Sequence, residues 1–340
     1  MKKQYTVTLT LPDGSRKYFR GNTRAEAEAK RDETRRLMAS GLNLTCSSRV
    51  DEWAATWLEE YKKGVVRETT YRNIYNILNL YVLPVIGDVK VRDVKPAHMR
   101  RVLKEISDKA ESTQRVVIRT AKEMFKVAME NDLILKNPCT SSIKPSGRES
   151  RKVVPLTREQ SETLISAAKG SKLYLFVLLA LYAGLRRGEL LGLMWSDVDF
   201  AEGTVTPKRS VVSGIGLTDT LKTEAAHRTI PLPWSVMREL ELAKSQSNSV
   251  YVIPGESGSY IGDTEMQTAW DRITRRLDFH VHPHLIRHTC VTRWFEMGLD
   301  IKEIQYLAGH STAAVTMEIY THYLEEERHQ DTAEKIRAAY

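Results

Sequence analysis

The chain has 340 residues, a formal net charge of +8 and a pI near 9.2, so it has room for two or three domains and favours a polyanionic partner. Its longest apolar run, Leu173 to Gly184, is too short to cross a bilayer, and the N-terminus lacks the apolar core of a signal peptide. The cysteines, Cys46, Cys139 and Cys290, form no zinc or disulfide pattern. The composition therefore argues against membrane-spanning, secreted and zinc-stabilised proteins, and it fits a reducing cytosol.

Positive charge is concentrated in the first half of the chain. Residues 1–45 hold 10 basic and 5 acidic residues, residues 46–152 hold 21 and 14, and residues 153–340 hold 20 and 24. The first two segments are therefore predicted to provide the electrostatic grip on a nucleic acid, whereas the third keeps its cations for a site.

The N-terminal segment predicts a small sheet with one helix. Apolar residues alternate with threonines over residues 4–11, a turn follows at Pro12-Asp13-Gly14, and Arg16 to Arg20 can return as a second strand. Thr23 can cap a helix that runs to about Met38. Residues 1–45 are expected to form this basic module.

Four helices are predicted between Val50 and Leu135, in a domain spanning residues 46–145. The second is expected to end at Pro84, because proline interrupts a helix. The third opens near Pro96, and the fourth spans Ser112 to Glu130. The residues predicted to face the core are Trp53, Trp57, Tyr61, Tyr71, Ile74, Leu78, Tyr81, Met99, Val102, Leu103, Ile106, Val116, Thr120, Met124 and Val127.

Residues 139–155 break the helical periodicity with serine, proline and glycine and predict a basic linker. A third domain is assigned to residues 153–340. In it, Thr157 and Gln160 have capping-box spacing, a buried helix ends at Gly184, and strands are predicted over 203–212 and 219–232. A loop over 248–262 and a helix over 264–277 follow, so this domain is predicted to be mixed α/β.

The stretch from His282 to Tyr323 is dense in groups that bind phosphate or move protons. Pro283 suits the first turn of a helix that places His284 and Arg287 on one face. A second helix is expected from Asp300 to a C-cap at Gly309, which puts His310 on the turn. A third helix, opened by Ser311 and Thr312, would carry Tyr320.

These residues resemble the C-terminal motifs of the tyrosine recombinases of the phage integrase family. The motifs are H-x-x-R at His284 to Arg287, L-x-G-H at Leu307 to His310 and a tyrosine ten residues on, Tyr320. Gly184 to Leu190 matches G-[LM]-R-x-x-E-L, and Arg228 to Leu232 matches R-x-I-P-L.

The resemblance implies a mainly α, multi-domain fold with small β-sheets. Residues 1–45 would be an arm-type DNA-binding domain, residues 46–145 a four-helix core-binding (SAM-like) domain, and residues 153–340 the mixed α/β catalytic domain.

The resemblance also implies the chemistry. Tyr320 would attack phosphorus, Arg186 and Arg287 would hold the non-bridging oxygens, and His284 would accept the tyrosine proton. His310 would donate to the phosphate, and Lys222 would protonate the departing 5′ oxygen, with Lys208 as the competing lysine. No metal or other cofactor is implied. Glu189 would orient its neighbours, His288 would be structural, and Arg187 would lie at the surface or against the DNA backbone.

An integrase of a temperate phage or conjugative transposon is the predicted function. Its partners would be double-stranded attachment sites, three further copies of the chain in a tetramer on DNA, and an excisionase or DNA-bending accessory protein, in a bacterial cytoplasm at the nucleoid. A chromosome-dimer resolvase, a type IB topoisomerase and a non-catalytic DNA-binding regulator are the alternatives. The C-terminal stripe of Ala333, Ile336 and Ala339 is expected either to dock on a neighbouring subunit or to remain a solvated tail.

Overall fold

The computed structural model describes residues 4–11, 14, 16–39, 48–148, 153–219, 227–310, 312–314, 316–317 and 337. The chain divides into two compact units, residues 1–152 and residues 153–340. Of the helices in the described ranges, none combines the length and apolar composition that crossing a membrane requires. The predicted three-domain division, with its boundary near residue 45, stays a prediction.

The first unit opens with the predicted sheet and helix. Strands β1 (Tyr5–Thr10) and β2 (Arg16–Gly21) pair antiparallel, and α1 (Arg24–Ala39) packs against both. The Thr23 hydroxyl accepts a hydrogen bond from the Glu26 amide at 3.1 Å, as expected for an N-cap. The outer face carries Thr6, Thr8, Thr10, Arg16, Tyr18 and Arg20, and all six are exposed.

Four α-helical segments supply most of the described remainder of the first unit, with a short 3-10 turn (Val91–Asp93) before the third. They are α2 (Val50–Tyr61), a long helix made of α3 (Glu68–Ile77), a π turn (Leu78–Val82) and α4 (Leu83–Ile86), then α5 (Pro96–Glu105) and α6 (Glu111–Glu130). Their apolar faces enclose one core that includes Trp57, Leu78, Met99 and Phe125. The predicted number of helices is confirmed.

Pro84 does not end the second helix, contrary to the prediction. The helix continues to Ile86 because the preceding π turn widens it by one residue, with the Leu83 amide donating to the Leu78 carbonyl. A wider turn accommodates both the proline ring and the missing N–H group.

The inward face of α6 confirms half of the predicted row, since Thr120 and Met124 are buried. Val117, Phe125 and Ala128 are buried, whereas Val116 and Val127 are only half-buried. Both candidate rows are apolar, so periodicity alone did not separate them.

The predicted linker begins later than residue 139. Cys139 and Ile143 are buried in the helical core, and the Glu111 amide donates to the Arg148 carbonyl at 3.0 Å. The side chain of Gln114 also accepts from the Ser146 amide at 3.1 Å. Residues 139–148 therefore belong to the helical unit.

The second unit is built around a buried helix. Helix α8 (Tyr174–Tyr182) packs against α7 (Arg158–Ala168), α10 (Trp234–Gln246) and α12 (Pro283–Glu296). The capping box of α7 is present, since the Gln160 amide donates to the Thr157 hydroxyl at 3.1 Å and the Thr157 amide donates to the Gln160 side chain at 3.0 Å. Helix α10 was not predicted. Three other α-helices have described bounds: α9 (Arg187–Leu191), α11 (Asp263–Thr274) and α13 (Ile301–Ala308).

The strands of the second unit are shorter than predicted. β3 (Val198–Asp199), β4 (Thr204–Val205) and β7 (Ile230–Pro231) form one antiparallel sheet, while β5 (Ser210–Val212) and β6 (Gly216–Thr218) form a separate hairpin. The predicted strand over 203–212 is thus divided between two sheets. Pro207 lies at the break, and it lacks the N–H group that a ladder requires.

Candidate active site

Arg186 is positioned by the turn that follows the buried helix α8. Gly184 adopts a left-handed conformation with φ of 57°, which reverses the chain and makes Arg186 the N-cap of α9. Glu189, one turn into α9, accepts from the Arg186 amide at 2.9 Å and from its Nη1 at 2.7 Å. The G-L-R-R-G-E-L segment therefore folds back on itself and holds the guanidinium group by its own carboxylate.

Arg287 reaches the same region from α12. The helix begins at Pro283, as predicted, with the His282 side chain accepting from the Leu285 amide at 3.2 Å. Arg287 is only 4% exposed, and its Nη1 donates to the Gly184 carbonyl at 2.5 Å. Its Nη2 donates to the Ala308 carbonyl, also at 2.5 Å. Arg287 thus joins the ends of two helices.

Helix α13 begins and ends at the residues that the sequence predicts, and its C-terminus faces the arginines of the site. Asp300 caps the start of α13, and Gly309, with φ of 65°, ends it, both as predicted. The His310 amide donates to the Gln305 carbonyl at 3.0 Å and the Gly309 amide to the Tyr306 carbonyl at 2.9 Å, which is a Schellman arrangement.

The next three carbonyls of this helix end each accept from an arginine. Arg228 Nε donates to Leu307, Arg287 Nη2 to Ala308 and Arg186 Nη2 to Gly309. These carbonyls have no partner inside the helix, and they lie at the negative end of its dipole. The helix end therefore offers hydrogen bonds and a favourable potential to three neighbouring guanidinium groups.

Arg228 is the member of this cluster that the motif reasoning missed as a site residue. It is 2% exposed, and besides its bond to Leu307 it donates from Nη2 to Glu189 Oε2 at 2.8 Å and from Nη1 to Glu189 Oε1 at 3.3 Å. The sequence signal is its place in the R-T-I-P-L segment, a motif that by itself indicates only a strand. Because the guanidinium group of Arg228 donates to other groups of the protein, its role is to hold Glu189 and the end of α13.

Glu189 is the negative counterpart of these charges. Burial alone would raise its pKa, but the hydrogen bond and charge of Arg228, and then the charge of Arg186, lower the pKa to about 2. Burial lowers the pKa of Arg287 to about 9, and the nearby charge of Arg186 adds to the effect. Glu189 is therefore ionised at neutral pH and orients two arginines, as the sequence had suggested.

Two histidines complete this group. His284 lies exposed at the start of α12, and desolvation, followed by the charge of Arg287, lowers its pKa. His310 is 8% exposed, and burial, followed by the charge of Arg287, lowers its pKa to about 4. Both rings are therefore neutral at pH 7, and each has one N–H group that can donate a hydrogen bond and one nitrogen lone pair that can accept a proton.

A cleft of about 440 Å³ brings these side chains together. Its lining consists of Arg186, Arg187, Gly188, Pro283, His284, Arg287 and His310. In the described part of the chain, no carboxylate lines the cleft, and the Nε–H groups of Arg186 and Arg287 have no protein partner. The cleft is therefore suited to an anion with several acceptor oxygens, such as a phosphodiester.

Two family models match the chain. One, described as the phage integrase family, covers residues 155–327, and the other, the phage integrase central domain, covers residues 50–143. The chain belongs to the phage integrase family. It is a tyrosine site-specific recombinase of the integrase type.

Individual proteins show the same relationship. A tyrosine recombinase XerC-like protein of Caldanaerobacter subterraneus subsp. tengcongensis is 28% identical and aligns over 96% of this chain and 94% of its own length. The transposase from transposon Tn916 of Enterococcus faecalis is 25% identical over 76% of this chain and 70% of its own.

Solved structures share the fold. The Tn1549 transposon integrase in complex with a circular intermediate DNA superposes with a TM-score of 0.74 at 22% identity, over 86% of this chain and 100% of that one. A lambda integrase tetramer bound to a Holliday junction gives 0.63 at 18% identity, over 90% and 93%. The mainly helical, multi-domain fold expected from the sequence is thereby confirmed.

The structure brings together four of the six predicted catalytic residues: Arg186, His284, Arg287 and His310. Lys222 and Tyr320 lie outside the described residues, as do Ala333, Ile336 and Ala339 of the C-terminal stripe. Their assignments stay predictions.

The other residues singled out in the sequence have identifiable partners. Lys208 lies 3.6 Å from the buried Asp197, and Arg187 pairs with Asp263 at 2.7 Å. His288 is buried on α12. Within the described ranges, no group of three histidine, cysteine or acidic side chains is placed to hold a metal ion.

Proposed function

We propose that the integrase inserts and excises a mobile element by cutting and rejoining DNA strands through a covalent 3′-phosphotyrosine ester on Tyr320. The observation that carries this proposal is the cationic cleft, in which Arg186, Arg287, His284 and His310 converge. Among the described residues, the Nε–H groups of the two arginines have no partner. The relationship to the Tn916 transposase and the basic sheet module at the front of the chain support a mobile element as the substrate.

In the cleavage step, the Tyr320 oxygen attacks phosphorus and the bond from phosphorus to the 5′ oxygen breaks. A phenol has a pKa of about 10, so the tyrosine needs a base. His284 takes this proton, since its lowered pKa keeps it neutral. Lys222 gives a proton to the departing 5′ oxygen, so that the strand leaves as a free hydroxyl.

Arg186 and Arg287 bind the non-bridging oxygens, on which charge builds up in the transition state. Their guanidinium groups are already fixed by the carbonyls of α8 and α13 and by Glu189, so little reorganisation is needed when the phosphate arrives. His310 donates a further hydrogen bond to the phosphate. These three groups stabilise the same charge that a metal ion stabilises in other phosphoryl-transfer enzymes.

Rejoining reverses this step. A 5′ hydroxyl from another strand attacks the phosphotyrosine ester, releases Tyr320 and forms a new phosphodiester. Because the phosphotyrosine ester retains the energy of the phosphodiester bond that was broken, no nucleotide cofactor is consumed. We propose that a homo-tetramer on two double-stranded sites exchanges strands in this way in the bacterial cytoplasm, with an excisionase or DNA-bending protein setting its direction.

Chromosome-dimer resolution is the second candidate, because the XerC-like relative aligns along almost the whole chain. The two functions share the cleavage chemistry but differ in DNA substrate. Recombination of a plasmid carrying the ends of the surrounding element, against one carrying a chromosomal dimer-resolution site, separates them: the proposal expects products from the first plasmid only.

A suicide DNA substrate, nicked near the crossover point, tests the chemistry. Wild-type integrase should form a covalent protein–DNA band that survives SDS, peptide mapping should place the DNA on Tyr320, and Tyr320→Phe should form no band. A band formed by the variant would move the nucleophile elsewhere, with Tyr323 as the first candidate. If neither protein forms the band although both bind a cognate site, the catalytic proposal fails and a DNA-binding regulator takes its place.

A further inference from the structure

His310 is held by a residue that none of the motifs includes. Its Nδ1 lies 2.9 Å from the hydroxyl oxygen of Thr316, and the two side chains are 8% and 0% exposed. Thr316 follows the turn at His310 by six residues and is helical. The contact is short enough for a good hydrogen bond and is shielded from competing water.

The backbone of His310 is fixed independently of this contact. Its amide donates to the Gln305 carbonyl at 3.0 Å, and the Gln305 side-chain amide donates to the His310 carbonyl at 3.2 Å. These bonds place the residue but leave the proton of the ring undetermined. The contact with Thr316 is the one described hydrogen bond made by the His310 ring.

The location of that proton decides what the ring offers to the cleft. Burial and the charges of three nearby arginines disfavour protonation of the His310 ring. The ring is therefore neutral at pH 7 and has one N–H group and one lone pair. If Nδ1 carries the proton, Nε2 presents a lone pair, which repels a phosphate oxygen. If Nδ1 accepts from Thr316, Nε2 carries the proton and donates to that oxygen.

We propose that Thr316 is a positioning residue that donates its hydroxyl proton to Nδ1 of His310 and thereby fixes the tautomer with a proton on Nε2. The proposal rests on the function proposed above, since it assigns the source of the hydrogen bond that His310 gives to the phosphate. Thr316 itself does not touch the DNA. It acts on the reaction only through the imidazole.

A second threonine–histidine pair in the same unit provides a contrast. Thr292 is buried one turn after His288 on α12, but its hydroxyl donates to the His288 carbonyl at 3.0 Å and lies 3.5 Å from Nδ1. That hydroxyl proton is used by the backbone. Thr292 therefore resembles Thr316 in burial and residue type without controlling a ring that lines the cleft.

Three variants test the proposal: Thr316→Val, which keeps the shape and removes the hydroxyl, Thr316→Ser, which restores it, and Thr292→Val as the matched control. Single-turnover cleavage of the nicked substrate is measured at saturating protein, and DNA binding is measured separately. We expect Thr316→Val to cleave about tenfold more slowly, the loss typical of one hydrogen bond, with unchanged DNA affinity. Thr316→Ser should return to within about twofold of wild type, and Thr292→Val should match wild type.

The tautomer is read directly by ¹⁵N NMR of histidine-labelled full-length integrase, with His310→Gln identifying the His310 signals. Wild type should show protonated Nε2 and unprotonated Nδ1, and Thr316→Val should show both tautomers. This measurement needs no DNA cleavage, so it separates failure of this inference from failure of the proposed function. A wild-type proton on Nδ1, an unchanged tautomer in Thr316→Val, or a rate loss that serine does not restore would each overturn the inference.

Discussion

The helical part of the first unit and the cleft of the second unit differ in how many polar and charged side chains they bury. The helical core is almost wholly apolar, and its described buried polar side chains are Lys62, Gln114 and Thr120. The second unit buries Glu189, Arg228, Arg287, His310 and Thr316, and most of these contact one another or the end of α13.

The difference separates two uses of positive charge. Surface cations of the first unit are solvated, so each contributes a small and nearly independent amount to DNA binding. In the second unit, Arg186 and Arg228 share the carboxylate of Glu189, and these two arginines and Arg287 bind consecutive carbonyls. Removing one arginine therefore changes the hydrogen bonds and the local charge that hold the others. We therefore expect substitutions in the cleft to have large, coupled effects and substitutions on the first unit to have small, additive ones.

The largest effect is expected for Arg228→Met. The change leaves the buried carboxylate of Glu189 without its main partner, and breaking a buried ion pair from one side costs about 3–5 kcal/mol. Native-state hydrogen exchange of α9 and α13 measures the loss. The matched control is Arg187→Met, because its pair with Asp263 is partly exposed and the substitution should cost about 1 kcal/mol or less. Equal losses in both variants would contradict the contrast between buried and exposed charge.

Arg287→Lys should come next, as a loss of cleavage rate. A lysine cannot donate to the Gly184 and Ala308 carbonyls while also offering a planar pair of donors to phosphate. Loss of such a preorganised donor slows the chemical step by about 100- to 1,000-fold. Single-turnover cleavage measures the rate, with Arg276→Lys, an exposed arginine outside the cleft lining, as the control that should stay near wild type. A rate within tenfold of wild type would remove Arg287 from the phosphate-binding role.

The pH dependence of stability should come third. The pKa of His310 falls from about 6.5 in the unfolded chain to about 4 in the fold, so the unfolded state binds a proton first as the pH drops. His310 therefore stabilises the fold fully above pH 6.5, and about 3 kcal/mol is lost as the pH falls from 6.5 to 4.

Urea denaturation at a series of pH values compares wild type with His310→Gln, which cannot titrate. The variant should lose less free energy of unfolding over this interval. Identical pH profiles of the two proteins would show that the burial of His310 does not shift its titration.

The smallest effect is expected on the outer face of the N-terminal sheet. Arg20 is exposed there opposite Thr6, and Arg20→Ala should reduce the slope of log affinity against log salt by about 1. Arg24→Ala is the control, because Arg24 already pairs with Glu28 at 2.9 Å. Cleavage at saturating protein should be unchanged in both. A cleavage defect in Arg20→Ala would argue against the division of roles between the two regions.

Local patterns predicted much of this molecule. Alternation located β1, capping residues located the starts of α1, α7 and α13, and Gly309 located the end of α13, because these features depend on interactions within a few residues. The motifs identified Arg186, His284, Arg287 and His310, and the structure places them in one cleft.

Local patterns failed where a distant contact or an unusual turn decides the outcome. Pro84 was predicted to end a helix, yet a π turn carries the helix past it. Residues 139–148 have the composition of a linker, but Cys139 and Ile143 are buried in the helical core. In the sequence, Arg228 belongs to a motif that indicates a strand. Its ion pair with Glu189 joins residues that are 39 positions apart, so the motif alone does not predict it.

By itself, the sequence determined the family, the helical character and the identity of the chemical groups, because motif spacing and side-chain periodicity are written along the chain. Only the tertiary structure decided how those groups are charged and aimed. The ionisation of Glu189, the neutral state of His310 and the orientation of the Arg186 and Arg287 guanidinium groups all depend on burial and on neighbours from other helices. These properties arise from electrostatics through space, so they exist only once the end of α13 meets α9, α12 and the segment that carries Arg228.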